Sequence, residues 1–192
     1  MTQIYYKWLK PDRTTIYQGI KWPKRVGVWT PDETPKLCAS GWHLATHRGI
    51  AQHARTNAVL WIAEGRGVQV AAEDKIAFTS ARLVSQVGTL TQPIAVRWAA
   101  ECAQQVLNHY EDRYPDDKRP REAIDAALRW AKDPSKANRD AAAAAYAATY
   151  AAAHAAYAAT YAATYAAYAA GTAYAKEREW QSDRLLELLD AS

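Results

Sequence analysis

Residues 141–175 form a run of 35 amino acids without a charged side chain, and 22 of them are alanine. Seven bulkier side chains follow one another at spacings of 4, 4, 3, 4, 4 and 3 residues: Tyr146, Tyr150, His154, Tyr157, Tyr161, Tyr165 and Tyr168. This is an 11-residue repeat, which corresponds to about 3.67 residues per helical turn. Because alanine is the strongest helix former, the run predicts one very long α-helix with a single aromatic stripe.

A helix with so little charge needs a cover, because neither its aromatic stripe nor its alanine face is suited to water. One hypothesis is that the seven stripe residues pack as core against the preceding helices. A second is that they bind a protein partner, since rigid aromatic side chains are typical of binding surfaces. A third is that two copies of the chain associate through this helix. A membrane span is not expected, because a tyrosine or histidine at every turn would place polar atoms in the bilayer.

The remaining sequence predicts an α+β protein with a mixed domain over residues 1–92 and a helical region over 93–192. Short segments rich in Ile, Tyr, Trp and Val, separated by proline and glycine, predict antiparallel strands. They are residues 4–9, 14–20 and 26–29. Residues 59–70 are interpreted as two further strands around a turn at Gly65-Arg66-Gly67, and residues 48–56 as a short helix.

Two helices are predicted before the alanine-rich run. The first follows Gln92-Pro93, with an apolar face at helical spacing. That face comprises Val96, Ala99, Ala103, Val106, Leu107 and Tyr110. The second begins at Pro120 and stops at Asp133-Pro134. Ser135 is a suitable N-cap for the long helix, which ends at Gly171 or continues to Leu189.

Charge and aromatic residues are concentrated near the start of the chain. Residues 1–60 hold nine Lys and Arg against three Asp and Glu, and five of the eight tryptophans lie before residue 62. A basic, tryptophan-rich region is suited to an acidic protein, a nucleotide or a nucleic acid as partner. Because the excess of positive charge is modest, an ordinary solvated surface is the preferred interpretation.

No motif in the chain indicates catalysis. Cys38, His43, His47 and His53 are zinc-ligand residue types, but the paired Cys-x2-Cys of zinc fingers is missing, so no metal or cofactor is predicted. No nucleophile or phosphate-loop motif is present, and a non-enzymatic protein is expected. With two cysteines and no apolar leader, the chain is expected to be cytoplasmic.

Residues 95–170 resemble the alanine-rich immunity proteins of bacterial polymorphic-toxin systems. The residues that carry the resemblance are Trp98, Ala99, Ala100, Cys102, Val106, Leu107, Tyr110, Glu111, Asp117, Arg119, Pro120, Arg121, Ala123, Ile124 and Trp130. The resemblance implies a protein that neutralises a toxin by covering its surface and that has no catalytic residues.

The first 90 residues are similar to a domain of unknown function found in phage proteins. The similarity depends on Cys38-Ala39-Ser40-Gly41-Trp42-His43 and on the Asp74-Lys75 pair. Together the two resemblances imply a phage or bacterial conflict protein that sequesters a toxin or a defence effector. Two alternatives stay open: a nucleotide or small-ligand binding protein that uses the basic N-terminal domain, and a structural oligomer or virion component assembled through the long helix.

Overall fold

The computed structural model describes residues 3–141 and 172–191 of the chain. They belong to two compact units. The first comprises Met1–Thr91 together with Glu177–Ser192, and the second comprises Gln92–Lys176. The predicted mixture of an antiparallel sheet and helices is confirmed.

The first unit is built around a small closed barrel in which every neighbouring pair of strands is antiparallel. Its strands are Tyr5–Leu9 (β1), Trp42–Ala45 (β2), Val59–Ala71 (β3) and Lys75–Thr89 (β4). Their order around the barrel is β1-β2-β4-β3. β1 pairs with β3 through five residues but with β2 only at Tyr6 and Ala45, so the β1–β2 junction is the weakest seam of the barrel.

Large aromatic and aliphatic side chains fill the barrel. Alternation along each strand sends every second side chain inward, and on β1 the inward set includes Tyr5 and Leu9. The other buried members are Trp22, Trp42, Leu44, Val59, Trp61, Ala63, Ile76, Phe78, Ala81 and Leu83. Four of the five early tryptophans (Trp8, Trp22, Trp42 and Trp61) are at most 6% exposed. The tryptophan-rich composition of this region therefore reflects its core.

The interpretation of residues 59–70 as two strands around a glycine turn is wrong. β3 runs continuously from Val59 to Ala71, with a register shift between Arg66 and Gln69. A Cβ on Gly65 would lie 2.3–2.5 Å from three ring atoms of Phe78, and Gly67 has a φ of +81°. The two glycines therefore admit a core ring and a β-bulge, which are the other standard uses of glycine in a strand.

Residues 14–20 and 26–29 are also not regular strands. The first segment is a turn closed by a single bridge between Thr14 and Lys21. The second lies beside β4 beyond the end of β2, where the amides of Gly27 and Thr30 donate to the carbonyls of Leu83 and Ala81, both at 2.9 Å. Thr30 is buried there. Segments this short are supported mainly by tertiary contacts, which a local pattern does not report.

Two helices complete the first unit. Helix α1 (Gly49–Gln52) follows β2, as predicted, and its Gly49, Ile50 and Ala51 are buried. The last helix (Thr172–Asp190), called α4 below, belongs to this unit from Glu177 onward. Its buried side chains there are Ser182, Leu185, Leu188 and Leu189.

The second unit contains the two predicted helices, α2 (Gln92–Glu111) and α3 (Arg119–Lys132). Pro120 lies in the first turn of α3, as predicted, and Glu122 lies in the same turn. The predicted apolar face of α2 is largely wrong, because Val106 is 47% exposed and the buried residues are Ala100 and Leu107. Two of the six predicted face residues are alanines, which contribute little apolar area and so do little to determine which side of the helix is buried.

Residues 136–141 are helical, and the Ser135 hydroxyl accepts a long 3.4 Å hydrogen bond from the amide of Asn138, consistent with its predicted capping role. The very long alanine–tyrosine helix, the 11-residue repeat and Gly171 lie outside the described residues. Those predictions stay predictions. No helix in the described part of the chain is long and apolar enough to cross a membrane.

Candidate functional site

The seven predicted partner-binding residues all lie outside the described residues. They are Tyr146, Tyr150, His154, Tyr157, Tyr161, Tyr165 and Tyr168. Their role therefore stays a prediction. The described residues contain two other places where functional side chains gather: a pocket in the barrel and the loop between α2 and α3.

The zinc-type residues near β2 do not form a common site. His43 Nε2 accepts a 3.0 Å hydrogen bond from the amide of Cys38, whereas His47 contacts Asp183 and His53 contacts Asp74 at 2.8 Å. Residues 3–141 and 172–191 contain no group of three or more metal-ligating side chains. Each histidine therefore contributes to the fold through a separate partner.

A pocket of about 260 Å³ lies at the seam between β1 and β2. Its lining includes Tyr6, Lys7 and Trp8 of β1 and His43, Leu44 and Ala45 of β2. The remaining lining residues are Thr15, Ile16, Tyr17, Gln18, Cys38, His53 and Lys75. The pocket exists because β1 and β2 pair at a single position and then separate.

Lys7 is the unusual side chain of this pocket. It lies between Tyr5 and Leu9 on the inward face of β1, yet its ammonium group donates a 2.8 Å hydrogen bond to the His43 carbonyl. The same ammonium group is 5.5 Å from the centre of the Trp22 ring, which partly compensates its charge. Burial lowers the pKa of Lys7 to about 8, because a low-dielectric environment disfavours the charged form.

The two pocket histidines favour their neutral forms. Burial lowers the pKa of His43, and the nearby Lys7 cation lowers it further. Burial also lowers the pKa of His53, although the Asp74 carboxylate opposes that effect. A neutral His43 agrees with the acceptor role of its Nε2 atom. At neutral pH the lysines therefore supply the positive charge of the pocket.

Replacing Lys7 with methionine should remove a specific pH dependence of stability. Between about pH 8 and pH 10.5 the unfolded chain keeps Lys7 protonated while the folded chain releases the proton, so stability rises with pH. We expect the wild type to gain about 2 kcal/mol relative to Lys7→Met between about pH 7 and pH 10. Urea denaturation at several pH values measures this difference in the free energy of unfolding. The free energy of unfolding of the exposed Lys24→Met variant should change with pH as that of the wild type does. If the free energy of unfolding of Lys7→Met also changes with pH as in the wild type, the prediction is wrong.

The loop between α2 and α3 is closed by a network of ionic hydrogen bonds. The Tyr110 hydroxyl donates to Asp117 at 2.7 Å, and the Arg119 guanidinium donates to both oxygens of Asp117 at 2.8 and 2.7 Å. These bonds hold the pKa of Asp117 well below its usual value, and the bond to Arg119 has the largest effect. Arg121 binds both carboxylate oxygens of Glu111 across the same loop.

This network contains five of the residues that carry the resemblance to immunity proteins: Tyr110, Glu111, Asp117, Arg119 and Arg121. Asp117 also accepts a 3.1 Å hydrogen bond from the Arg119 amide, which satisfies a free donor at the start of α3. The motif therefore determines how the two helices are joined. It brings no nucleophile against a base.

An exposed aromatic cluster lies at the same loop. The Tyr110 and Tyr114 rings are 5.0 Å apart, and the Arg113 guanidinium lies 5.9 Å from the Tyr114 ring. Tyr114 is 39% exposed. We call Tyr110, Arg113 and Tyr114 the loop cluster. Tyrosine and arginine are the residue types enriched among the strongest contributors to protein interfaces.

Comparison with known proteins agrees with the position of this motif. The family model described as "Imm-5 like putative immunity protein" matches residues 85–139, which include α2, the loop and α3. No curated protein and no solved structure matches the chain. The similarity of the first 90 residues to a phage domain stays a prediction. Residues 85–139 are thus similar to an immunity-protein family, which confirms the coarser resemblance, whereas the likeness to alanine-rich members and its extension to residue 170 stay predictions.

Proposed function

We propose that this chain is a non-enzymatic binding protein that neutralises a protein toxin or defence effector by covering part of its surface. The observation that carries the proposal is the match of residues 85–139 to an immunity-protein family. Inhibition by occlusion needs a complementary surface and no reactive group. The arrangement of the loop between α2 and α3 is compatible with that requirement.

The loop cluster is our candidate for a contact surface in the described residues. The Asp117 network holds the loop in one conformation, so little conformational entropy would be lost when a partner binds. Tyr114 and Arg113 offer a flat aromatic ring and a planar cation, and neither is buried. The tyrosine stripe of residues 146–168 is a second candidate surface, and the two need not exclude each other.

The direct test is protection from toxicity. The chain would be co-expressed in bacteria with toxin domains encoded by neighbouring genes, and growth would be measured with complex formation by co-purification. We expect one toxin to be neutralised and to co-purify in a fixed stoichiometry. If the toxin is neutralised and chemically altered but forms no complex with the chain, the result supports an enzyme and contradicts the proposal.

The contact surface can be tested with matched variants. Changing Arg113 and Tyr114 together to serine should weaken toxin binding by about tenfold or more, as measured by titration calorimetry. Arg129→Ser, at an exposed position of α3 outside the loop cluster, is the control and should bind like the wild type. Circular dichroism checks that each variant folds. Unchanged binding by the double variant would exclude the loop cluster.

A parallel variant addresses the stripe. Replacing Tyr150, Tyr157 and Tyr161 with alanine should weaken binding if the stripe contacts the partner. If both this variant and the loop-cluster variant bind the toxin like the wild type, neither surface is the interface. The result is independent of the structure of the stripe, because the readout is affinity.

A further inference from the structure

The pocket at the β1–β2 seam carries an unbalanced positive charge. Lys7 and Lys75 both line it, and neither forms an ion pair with any side chain in residues 3–141 or 172–191. Because His53 favours its neutral form, the Asp74 carboxylate that it contacts at 2.8 Å opposes one of the two lysine charges, and one positive charge remains. A partly buried cation without a counter-charge is unfavourable, and a bound anion would relieve that cost.

Register explains how two distant lysines reach the same pocket. Tyr6 of β1 is paired with Ala45 of β2, and Ala45 is paired in turn with Lys75 of β4. Lys7 follows Tyr6, so its side chain leaves β1 on the inward face, and its ammonium group reaches the pocket at the His43 carbonyl. The two lysines therefore come from the two strands that flank β2: Lys7 from the inward face of β1, and Lys75 from the face of β4 that it shares with Ala45 and Tyr6. Their positions are determined by the barrel and not by a mobile loop.

A third cation lies close to the pocket. Tyr17 lines the pocket, and the guanidinium of Arg55 donates to its hydroxyl and lies 5.5 Å from its ring centre. The Tyr17 side chain is 75% exposed, so this pair can move toward a ligand with little loss of packing. The surroundings of the pocket are thus positive beyond the two lysines.

The rest of the lining is mostly apolar or aromatic. Ile16 and the ring of Tyr17 provide accessible aliphatic and aromatic surface, whereas Thr15 and Gln18 provide neutral polar groups. Small-molecule sites typically combine an apolar wall with a few polar groups that fix orientation. The volume of about 260 Å³ is suited to a compact ligand.

We propose that the β1–β2 pocket binds a small organic anion, a carboxylate or phosphate carried on a compact apolar body, with its charged end at the ammonium groups of Lys7 and Lys75. The apolar body would lie against Ile16 and the ring of Tyr17. This assigns the basic charge of the first unit to a defined cavity. It also gives Lys7 a role beyond its stabilising hydrogen bond to the His43 carbonyl.

The competing explanation is that Lys7 only stabilises the fold, through its hydrogen bond to the His43 carbonyl. The two can be separated with three probes that share a ring: benzoate, phenyl phosphate and uncharged benzyl alcohol. Calorimetry and thermal shift on the full chain near neutral pH would compare them. We expect benzoate or phenyl phosphate to bind at least about tenfold more tightly than benzyl alcohol and to raise the melting temperature. Which anion binds better identifies the carboxylate or the phosphate as the preferred group.

Variants then locate the binding. Lys7→Met and Lys75→Met should each weaken binding of the preferred anion by about tenfold or more, whereas Lys24→Met, at an exposed position outside the pocket, should not change it. Lys75→Met leaves the hydrogen bond from Lys7 to the His43 carbonyl intact, so it tests the pocket even if Lys7→Met fails to fold. The proposal is overturned if neither anion binds at about 10 mM, or if the anion binds Lys75→Met as tightly as the wild type.

Discussion

Replacing Gly49 with alanine is expected to lower the free energy of unfolding by about 3 kcal/mol. Gly49 is buried at the start of α1, and a Cβ there would lie 1.9 Å from the carbonyl oxygen of Asp74. That oxygen also accepts a 3.0 Å hydrogen bond from the Thr46 amide, so it cannot retreat without breaking a backbone contact. Chemical denaturation followed by tryptophan fluorescence measures the loss.

The matched control for Gly49→Ala is a second alanine substitution in the same short helix. Gln52 is exposed at the end of α1, and Gln52→Ala should change stability by no more than about 0.5 kcal/mol. A Gly49→Ala protein as stable as the wild type would mean that the turn before β4 does not pack on α1. Because that turn carries Asp74 and Lys75, the same experiment tests how firmly one side of the pocket is held.

The helices could be predicted from the sequence because their signals are local. Pro120 at the start of α3, Asp133-Pro134 at its end and the composition of α2 act within a few residues of the structure they determine. The buried face of α2 was harder to predict. Its alanines carry little weight, and Leu107 alone among the six proposed face residues is buried.

The barrel was harder to predict because its determinants are distant in sequence. Gly65 and Gly67 form a local pattern that is typical of a turn, but Gly65 is needed because Phe78, thirteen residues away, packs where a Cβ would be. A continuous strand and a hairpin show the same alternation of apolar residues before and after two such glycines. Only the partner strand distinguishes them, and its register is not visible in a single sequence.

The pocket residues could be predicted only in part. Lys7 occupies an inward position between Tyr5 and Leu9, so an alternating strand already indicates a lysine facing the core. The contribution of Lys75 depends on the pairing of Ala45 with β4, which no local pattern contains. By contrast, the loop between α2 and α3 could be anticipated from its family motif, because Tyr110, Asp117 and Arg119 lie close together in sequence.

Replacing Leu185 with alanine is expected to destabilise the barrel unit by about 3 kcal/mol. Leu185 is completely buried in α4, and neighbouring residues of that helix tie it to the segment around α1. The Arg48 guanidinium contacts Glu179 at 2.7 Å, and the Ser182 hydroxyl accepts a 3.4 Å hydrogen bond from the Ala51 amide. The truncation leaves a cavity in this packing, since the surrounding side chains relax only in part.

The informative readout for Leu185→Ala is hydrogen exchange, because it reports where stability is lost. We expect the amides of β3 and β4 to lose protection, since α4 belongs from Glu177 onward to the same compact unit as the barrel. Leu186→Ala is the matched control: it is the same change in the next residue of the helix, where the side chain is only partly buried, and its effect should be clearly smaller. Equal effects of the two substitutions, or full protection of the strands in Leu185→Ala, would show that α4 does not stabilise the barrel.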